Sequence, residues 1–351
     1  MSITFPLKLD NTYRAVKYFI QFFNYLILAL CIMRSFIIFF CLLTFGTYMA
    51  MEFRSPTVAE TFSAIGKTEG LPATFQRALK PNNDFEPIPA TKHGDWLAEH
   101  YEPGQTFDDF VKSKGNKPST LRSIIYLQPI GQFLEDRSPS LEMLKAYAEA
   151  YFFMDVKIIP LQAIRDSTIT TRINPISRNR QILTHDVLRI LKKGLPADAF
   201  CVLAITMEDL YPDPSWNFVF GQASLQDRVG VFSFARYDPM FYGEKQENGY
   251  QKILLRRSCK VLVHEMAHMF SLAHCIYFKC VMNGSNHLQE SDDRPPSLCP
   301  VCLRKLQFSI EFDIVDRYHK LLLFYQKAGF DYEARWVSKR LKKIEGNEQE
   351  D

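Results

Sequence analysis

Apolar residues in the middle of the chain alternate between short continuous runs and longer stretches with helical spacing. Residues 124–130 form a buried-strand run, residues 141–151 repeat apolar side chains at helical spacing, and residues 154–161 return to an extended pattern. A second helical stretch covers residues 183–193, and residues 200–206 form a third strand run. Strands and helices in this order predict an α/β fold with a mostly parallel sheet and crossover helices.

Towards the C-terminus, the apolar pattern predicts two further strands and three helices. The strands cover residues 217–222 and 229–235, with a polar turn between them. Helical spacing follows over residues 251–270, 312–328 and 333–344. The longest of these helices therefore comes directly after the last predicted strand.

The N-terminal segment differs in composition from the rest of the chain. Residues 18–51 are almost entirely apolar and aromatic, and residues 19–48 are long enough for one tilted membrane helix, which needs about 20 apolar residues. Arg34 near the middle is costly in a bilayer, and basic residues before the stretch favour a cytoplasmic N-terminus. One interpretation is therefore a membrane anchor formed by residues 18–48.

The competing interpretation is that this leader is not usually part of the protein. Met49 and Met51 offer alternative starts just before the soluble composition begins. The apolar stretch is also too long for an ordinary secretory signal peptide. The protein is expected in the cytoplasm or nucleus if the leader is absent, and at a membrane if residues 18–48 are present and insert.

Length and composition suit one large domain, or one domain with appendages. The chain has 351 residues, of which 47% are hydrophobic, and a net charge of +3. Because the charge is small and the basic residues are dispersed, no nucleic-acid partner is predicted. The sequence also has no glycine-rich phosphate loop and no nucleophile elbow.

The most informative motif is H-E-x-x-H at His264, Glu265 and His268, followed six residues later by His274. Histidines four positions apart lie on one face of a helix, where two imidazoles can bind one zinc ion. His274 supplies a third nitrogen if the chain turns back after the helix, and three protein ligands are typical of a catalytic zinc site. Glu265 is then placed to act as a general base towards water.

A short H-E-x-x-H motif also occurs by chance, and two helical histidines are often only polar surface. The third histidine favours zinc, because it has the histidine spacing of the long pattern H-E-x-x-H-x-x-G-x-x-H. The apolar residues 261–263 before the motif agree with a buried active-site helix. We therefore predict that these histidines bind zinc.

Four cysteines follow the third histidine in two close pairs separated by a polar loop. They are Cys275, Cys280, Cys299 and Cys302. Four thiolates predict a closed zinc site with a structural role, because no coordination position is left for water. Two disulfides or four unrelated core thiols are the alternatives, although the C-x-x-C pair favours a shared metal. The other cysteines have no ligand spacing, which indicates reduced, intracellular thiols.

These motifs together resemble the archaemetzincin family. The long histidine motif is joined within residues 264–302 to a four-cysteine site, with a methionine in between. Residues 215–224, 231–237 and 284–288 also resemble the family. The resemblance covers roughly residues 120–328.

The resemblance implies a role for each residue of the motifs. The implied ligands of the catalytic zinc are His264, His268 and His274, and the implied general base is Glu265. The implied ligands of the structural zinc are Cys275, Cys280, Cys299 and Cys302. Met282 is the implied Met-turn residue. Two zinc ions per chain are implied, one catalytic and one structural. The implied function is a zinc-dependent metallopeptidase, aminopeptidase-like, that acts on a peptide or protein substrate.

The fold implied by the resemblance is α/β and metzincin-like, a zincin with a mixed, mostly parallel sheet. An active-site helix and a small C-terminal subdomain complete it. In metzincins an antiparallel edge strand borders the substrate cleft, and an exposed edge can pair with an extended peptide. The phenylalanines of the last two predicted strands are expected both to fill the core and to line this cleft. They are Phe218, Phe220, Phe232 and Phe234.

One position departs from the family pattern, because Ser271 stands where the long motif carries glycine. A sharp helix stop commonly needs a left-handed backbone, which a residue with a Cβ adopts at a cost of roughly 1–2 kcal/mol. Serine could be tolerated if the neighbouring cysteine site clamps the chain at Cys275. It could also loosen His274, so the alternative function is a zinc-stabilised peptide-binding module with weak or no turnover.

Four regions are predicted along the chain. Residues 1–51 form the hydrophobic leader, and residues 52–119 an N-terminal extension whose frequent prolines indicate short helices and loops. The metzincin-like catalytic domain with the structural zinc site covers residues 120–328. A C-terminal helix and acidic tail occupy residues 329–351.

Overall fold

Two β-sheets organise the part of the chain that the computed structural model describes, residues 53–347. The strands are β1 (Ile124–Ile130), β2 (Val156–Ile158), β3 (Thr171–Ile173), β4 (Arg180–Leu183), β5 (Ala199–Thr206), β6 (Asp209–Tyr211), β7 (Gly221–Ser224) and β8 (Val229–Ser233). The larger sheet has the order β2-β1-β5-β8-β7, and the smaller sheet has the order β3-β4-β6.

Eleven α-helices accompany the two sheets within the described residues. The helices are α1 (Val58–Ile65), α2 (Ala73–Leu79), α3 (Trp96–Glu99), α4 (Phe107–Lys112), α5 (Leu141–Phe152), α6 (Thr184–Lys193), α7 (Tyr250–Met269), α8 (Leu288–Asp293), α9 (Pro300–Ile310), α10 (Ile314–Ala328) and α11 (Asp331–Glu345). Two short 3-10 turns, at Ala235–Tyr237 and Pro239–Tyr242, connect β8 to α7.

The larger sheet is mostly parallel, as the alternation of strands and helices predicts. Strand β1 pairs in parallel with β2 and with β5, and β5 pairs in parallel with β8. All eight residues of β5 are buried, which explains why its sequence is an unbroken apolar run: a central parallel strand is covered on both faces. The prediction of an α/β fold with a mixed, mostly parallel sheet is confirmed.

Strand β7 lies at the edge of the larger sheet and runs antiparallel to β8. The predicted antiparallel edge is therefore present, but the strand begins at Gly221 instead of residue 217. The preceding residues are held by the smaller sheet, because the Asn217 carbonyl oxygen accepts hydrogen bonds from Asn174 and Gln181. Polar contacts of this kind are invisible in an apolar pattern.

The longest helix, α7, packs against α5 and β8. Its residues 261–263 are fully buried, as predicted for the segment before the histidine motif. Glycine at position 249 precedes the helix with a φ of 89°. The last two turns, which carry the histidines, remain largely buried, with Met266, Ala267 and Met269 fully covered.

Helices from the two ends of the described chain pack together. Helices α1 and α2 contact α9, and α2 also contacts α11. The Arg77 Nε atom donates to the Ile344 carbonyl at 2.7 Å, and the buried Arg340 forms an ion pair with Asp84 at 2.8 Å. Helix α9 was not predicted, whereas α10 and α11 lie within two residues of their predicted bounds.

Within residues 53–347, none of the helices is both long enough and apolar enough to cross a bilayer. The predicted membrane segment, residues 18–48, lies outside the described residues.

Candidate metal centre

Three histidines meet at the C-terminal end of α7. His264 and His268 lie one turn apart on the helix, and the chain then reverses to bring His274 beside them. The Nε2 atoms of His264 and His268 are 3.1 Å apart. Nitrogen atoms of all three rings lie within 4.8 Å of one another, so the predicted ligands are brought together.

Each of these rings has an acceptor at its Nδ1 atom. The pairs are His264 with the Val281 carbonyl at 2.8 Å, His268 with the Leu272 carbonyl at 2.7 Å, and His274 with Glu102 Oε1 at 2.8 Å. An acceptor at Nδ1 keeps the proton there and leaves the Nε2 lone pair free. Three free lone pairs that converge in this way fit a zinc ion.

Burial also favours the neutral rings that a metal requires. It lowers the pKa of His264 well below its usual value and the pKa of His268 to about 4. Burial raises the pKa of Glu265, between them in sequence, to about 7. The Glu265 carboxylate accepts no hydrogen bond from any residue in the described range, which leaves both of its oxygens available to water.

The turn after α7 has the left-handed backbone expected at Ser271, whose φ is 68°. The segment before β1 supports it. The Asn116 backbone amide donates to Ser271 Oγ at 3.3 Å, and Gln105 donates through Nε2 to the Ser271 carbonyl at 3.2 Å. The Ala273 amide donates back to Gln105 Oε1 at 3.1 Å. These contacts fix the chain as it turns towards the third histidine.

Gly115 provides the space that the Ser271 side chain occupies. A Cβ built on Gly115 would lie 2.5 Å from both the Cβ and the Oγ of Ser271. Real Cβ atoms do not approach other atoms so closely, and the glycine and the serine therefore fit each other.

The four predicted cysteines also come together, directly beyond the histidines. All four are buried, and their sulfur atoms lie within 4.8 Å of one another. Cys275 and Cys299 have their sulfurs 3.6 Å apart, well beyond a disulfide bond of about 2.05 Å. Backbone amides of Met282 and Cys299 point at the Cys280 sulfur, at 3.5 and 3.3 Å. Four converging thiols with amide donors fit a tetrathiolate zinc site.

Met282 lies between the two clusters in sequence and is fully buried. Its carbonyl accepts the Cys275 amide at 2.8 Å. The residue before it, Val281, holds the Nδ1 atom of His264. The segment 281–282 therefore braces the histidine cluster and the cysteine cluster from one side.

Two residues of the site escaped the analysis of the sequence. Glu102 holds His274, and it also accepts from the Trp96 indole nitrogen at 2.9 Å. The Trp96 ring packs edge-on against His274, with ring centroids 5.0 Å apart. Gly284 makes room for this ring, because a Cβ there would lie 2.4 Å from Trp96 Cδ1. Both residues precede the motif by more than 160 positions, so no local pattern could link them to it.

Comparison with known proteins agrees with the geometry. The sequence model of Peptidase family M54 matches residues 157–308. Archaemetzincin-2 of Rattus norvegicus is 42% identical over 290 residues, which cover 74% of this chain and 81% of the relative. The chain belongs to the archaemetzincin family. Archaemetzincin-2 of Homo sapiens matches with the same identity and coverage.

More distant archaemetzincins match as well. Archaemetzincin-1 of Homo sapiens is 34% identical over 259 residues, which cover 66% of this chain and 52% of the relative. The crystal structure of archaemetzincin from Methanopyrus kandleri is 27% identical, with a TM-score of 0.42, and covers 56% of this chain and 99% of that one.

As an archaemetzincin, the protein is a zinc-dependent metallopeptidase that acts on peptides or proteins. This agrees with the first of the two functions expected from the motifs and favours it over a peptide-binding module without turnover. The predicted family and enzyme class are thus confirmed.

Proposed function

We propose that His264, His268 and His274 hold the catalytic zinc ion and that Glu265 is the general base of peptide hydrolysis. The convergence of three Nε2 lone pairs, each fixed by an acceptor at Nδ1, supports the ligand set. The unpaired Glu265 carboxylate beside them supports its role. When bound, zinc lowers the pKa of water and polarises the scissile carbonyl.

The protein's own groups carry the proton transfers in this proposal. Glu265 takes a proton from the attacking water at its carboxylate and later returns it to the leaving amine. Burial raises the pKa of Glu265 to about 7, which suits a group that must accept and release a proton near neutral pH. Glu102 fixes the orientation of the His274 ring without touching substrate.

Cys275, Cys280, Cys299 and Cys302 hold a second zinc ion in the same proposal, with a structural role. Burial raises the pKa of the Cys299 thiol well above its usual range, whereas, despite burial, hydrogen bonds from the other three cysteines lower the pKa of the Cys275 thiol. A zinc ion needs all four thiols deprotonated and repays the desolvation. Because Cys275 directly follows His274, this ion also anchors the third ligand of the catalytic site.

The substrate is proposed to lie along β7 as an added antiparallel strand. Among the described strands, β7 pairs with β8 on one side only, and a free edge can bind an extended peptide through its backbone. Phe232 and Phe234 are buried in the core, whereas Phe218 and Phe220 are half-buried beside the edge. The latter pair is thus the better candidate for contact with substrate side chains.

The region boundaries given above remain part of the proposal, with residues 120–328 as the catalytic domain. Location in the cytoplasm or nucleus, or at a membrane through residues 18–48, is likewise a prediction. Aminopeptidase-like action is also a prediction. Matched peptides with free and acetylated N-termini would distinguish it from internal cleavage. Only the free peptides should be cleaved if the preference is real.

Substitution of Glu265 tests the core of the proposal. Glu265→Gln should keep both zinc ions and the thermal stability of the parent while lowering peptidase activity by about 10²–10⁴-fold. Glu208→Gln is the matched control, because Glu208 is also a half-buried carboxyl whose pKa burial raises, yet it lies outside the cluster. A Glu265→Gln variant that cleaved peptides like the parent would show that another group is the base.

A further inference from the structure

A cavity lies between α10, α11 and residues 292–298, and none of the three histidines lines it, although Arg294 in its wall is 3.3 Å from His264 Nδ1. Its volume is about 160 Å³, roughly ten times the space that one water molecule requires. Its walls combine charged residues with aromatic and apolar ones, and Tyr151, Tyr318, Tyr325, Trp336 and Leu298 are among the latter. A cavity of this size and lining suits the apolar body of a small organic molecule.

Arg317 lines this cavity with an almost fully buried guanidinium group. The residue is 2% exposed, and its Nε donates to the Tyr151 carbonyl at 2.6 Å. Its Nη2 has no hydrogen-bond partner, and none of the described carboxylates forms an ion pair with it. Aromatic rings of Tyr151 and Phe312 lie 4.7 and 5.2 Å from its central carbon. Such contacts offset only part of the cost of burying a charge.

None of the five carboxylates in the cavity wall is paired with Arg317. Asp293 accepts a hydrogen bond from Gln289 Nε2 at 2.8 Å, and the other four form ion pairs with other residues. These ion pairs are Asp84 with Arg340, Glu86 with Lys279, Asp292 with Arg257 and Glu333 with Arg256. The contrast with Arg340 is informative, since that equally buried guanidinium is paired with a carboxylate at 2.8 Å. Arg317 therefore lines the cavity without a carboxylate partner of its own.

We propose that this cavity binds a small amphipathic carboxylate, with its carboxylate on Arg317 and its apolar body among the aromatic side chains. A carboxylate supplies the anionic acceptor that the free guanidinium nitrogens lack, and arginine binds it through paired N–H donors. The apolar body of the ligand would leave water and contact the aromatic rings instead, which is favourable because apolar surface is buried. The site is separate from the zinc ligands, so it does not depend on their proposed roles.

Titration of the full chain with 3-phenylpropionate tests the site, with 3-phenylpropan-1-ol as the matched uncharged probe. Trp336 in the cavity wall reports binding through its fluorescence, and calorimetry gives the affinity. The acid should bind about tenfold more tightly than the alcohol, as a buried charge-assisted hydrogen bond implies. Equal affinities, or no binding of either probe, would overturn the proposal.

Arg317→Met separates this cavity from the zinc site, because it removes the charge and leaves the three histidines unchanged. The variant should lose about tenfold in affinity for the acid and keep its affinity for the alcohol. Acid binding that is undiminished in Arg317→Met would place the ligand elsewhere, for example on zinc, and would overturn the proposal. Arg317→Lys keeps the charge without the planar donor pair and should bind the acid with intermediate affinity.

Protein stability provides a second readout that a purely structural arginine would not give. Without ligand, Arg317→Met should melt at or above the temperature of the parent, because an unpaired buried charge is removed. Arg340→Met is the comparison variant and should melt lower, since it leaves Asp84 buried with fewer partners. If both variants were equally destabilised, Arg317 would be a structural residue and the carboxylate site would be refuted.

Discussion

Ser271 adopts a backbone conformation that normally belongs to glycine, and the protein accommodates it by placing a glycine opposite. The strain at a φ of 68° is roughly 1–2 kcal/mol. The hydrogen bond from the Asn116 amide to Ser271 Oγ offsets about 1 kcal/mol of it. The departure from the family pattern is therefore tolerated locally, through Gly115 and the loop that carries it.

A double-mutant cycle between positions 115 and 271 measures this fit. Gly115→Ala should lower the free energy of unfolding by about 1–3 kcal/mol, because its Cβ would collide with Ser271. In a Ser271→Gly background the same alanine should be nearly neutral, since the next neighbour, the Phe270 carbonyl, lies 3.5 Å away. Urea unfolding at fixed zinc concentration gives the coupling energy, and a value near zero would contradict the close contact.

Substitutions of Ser271 alone test the effect on the metal. Ser271→Gly should bind the catalytic zinc at least as tightly as the parent, because the strain before His274 is relieved. Ser271→Val should bind it more weakly, since a β-branched residue resists the left-handed backbone. Competition with a zinc-sensing dye measures both, and equal affinities in the two variants would show that strain does not reach the metal.

Lys260 is a buried lysine that is expected to make the stability of the protein depend on pH. It is 3% exposed on α7, where Nζ donates to the carbonyls of Ser291 at 2.6 Å and Asp292 at 3.1 Å. Burial lowers its pKa to about 7. Nearby charges have smaller effects on this pKa: Arg294 and Arg256 lower it, whereas Asp292 and Glu333 raise it.

An unfolded lysine keeps a pKa of about 10.4, so between pH 7 and pH 10 the unfolded chain binds more protons than the folded one. The contribution of Lys260 to stability should therefore improve as pH rises through this window. Lys260→Met removes this titrating group. Between pH 7 and pH 10, the free energy of unfolding of the parent should therefore rise by several kcal/mol relative to that of the variant. A difference that stays constant from pH 7 to pH 10 would mean that Lys260 is not buried as described.

At the scale of elements, the catalytic site combines the end of one long helix with a distant loop. Helix α7 and the turn after it supply the three histidines, while the loop after α3 supplies Glu102. The hydrogen bond from His274 lowers the pKa of Glu102, so the carboxylate stays charged at neutral pH. The loop thus acts on His274, the proposed third zinc ligand, through one hydrogen bond.

Removal of this hydrogen bond should weaken the histidine site selectively. Glu102→Ala is expected to lower zinc affinity at the histidines by about 10–100-fold, the usual effect of losing a partner of a ligating histidine. Glu102→Gln keeps an oxygen acceptor and should lose less. The cysteine site serves as the internal control, because its affinity should not change in either variant. Loss of zinc from both sites together would indicate general unfolding instead.

The sequence predicted the elements of this site better than their surroundings. Strands β1 and β5 and helix α7 are long and strongly patterned, so their existence and their places in the fold followed from the apolar residues. Strands β3 and β6 are only three residues long, which is too short for a periodic pattern. No helix was predicted over α9, where Cys299 and Cys302 were interpreted only as metal ligands.

The two clusters of candidate ligands were predictable because they are encoded by local spacing. The spacing is four positions on a helix for two histidines, and two intervening residues for one pair of cysteines. Glu102, Trp96 and Arg317 were not predictable, because each acquires its role from partners far away in sequence. A buried arginine without a carboxylate can be recognised only when the surrounding side chains are placed.

At the scale of the whole molecule, the two metal sites should differ in how firmly they hold zinc. The cysteine site offers four buried ligands, and the histidine site offers three, of which His268 and His274 are partly exposed. Chelator should therefore remove one zinc ion first, with loss of activity and little change in circular dichroism, and remove the second only as the protein unfolds. Elemental analysis finding one zinc or none in protein prepared without chelator would contradict the prediction.

The packing of the first helices on the last ones has a consequence for how the chain is made. Phe75 and Leu79 of α2 are buried, and α2 packs on α9 and α11, which are translated long after it. At about 5–20 residues per second, the ribosome needs on the order of 10–40 s to travel from α2 to α9. The larger sheet is complete before then, while α2 still presents an apolar face without its cover. Nascent chains should therefore be captured by chaperones during this interval and released once α11 has emerged.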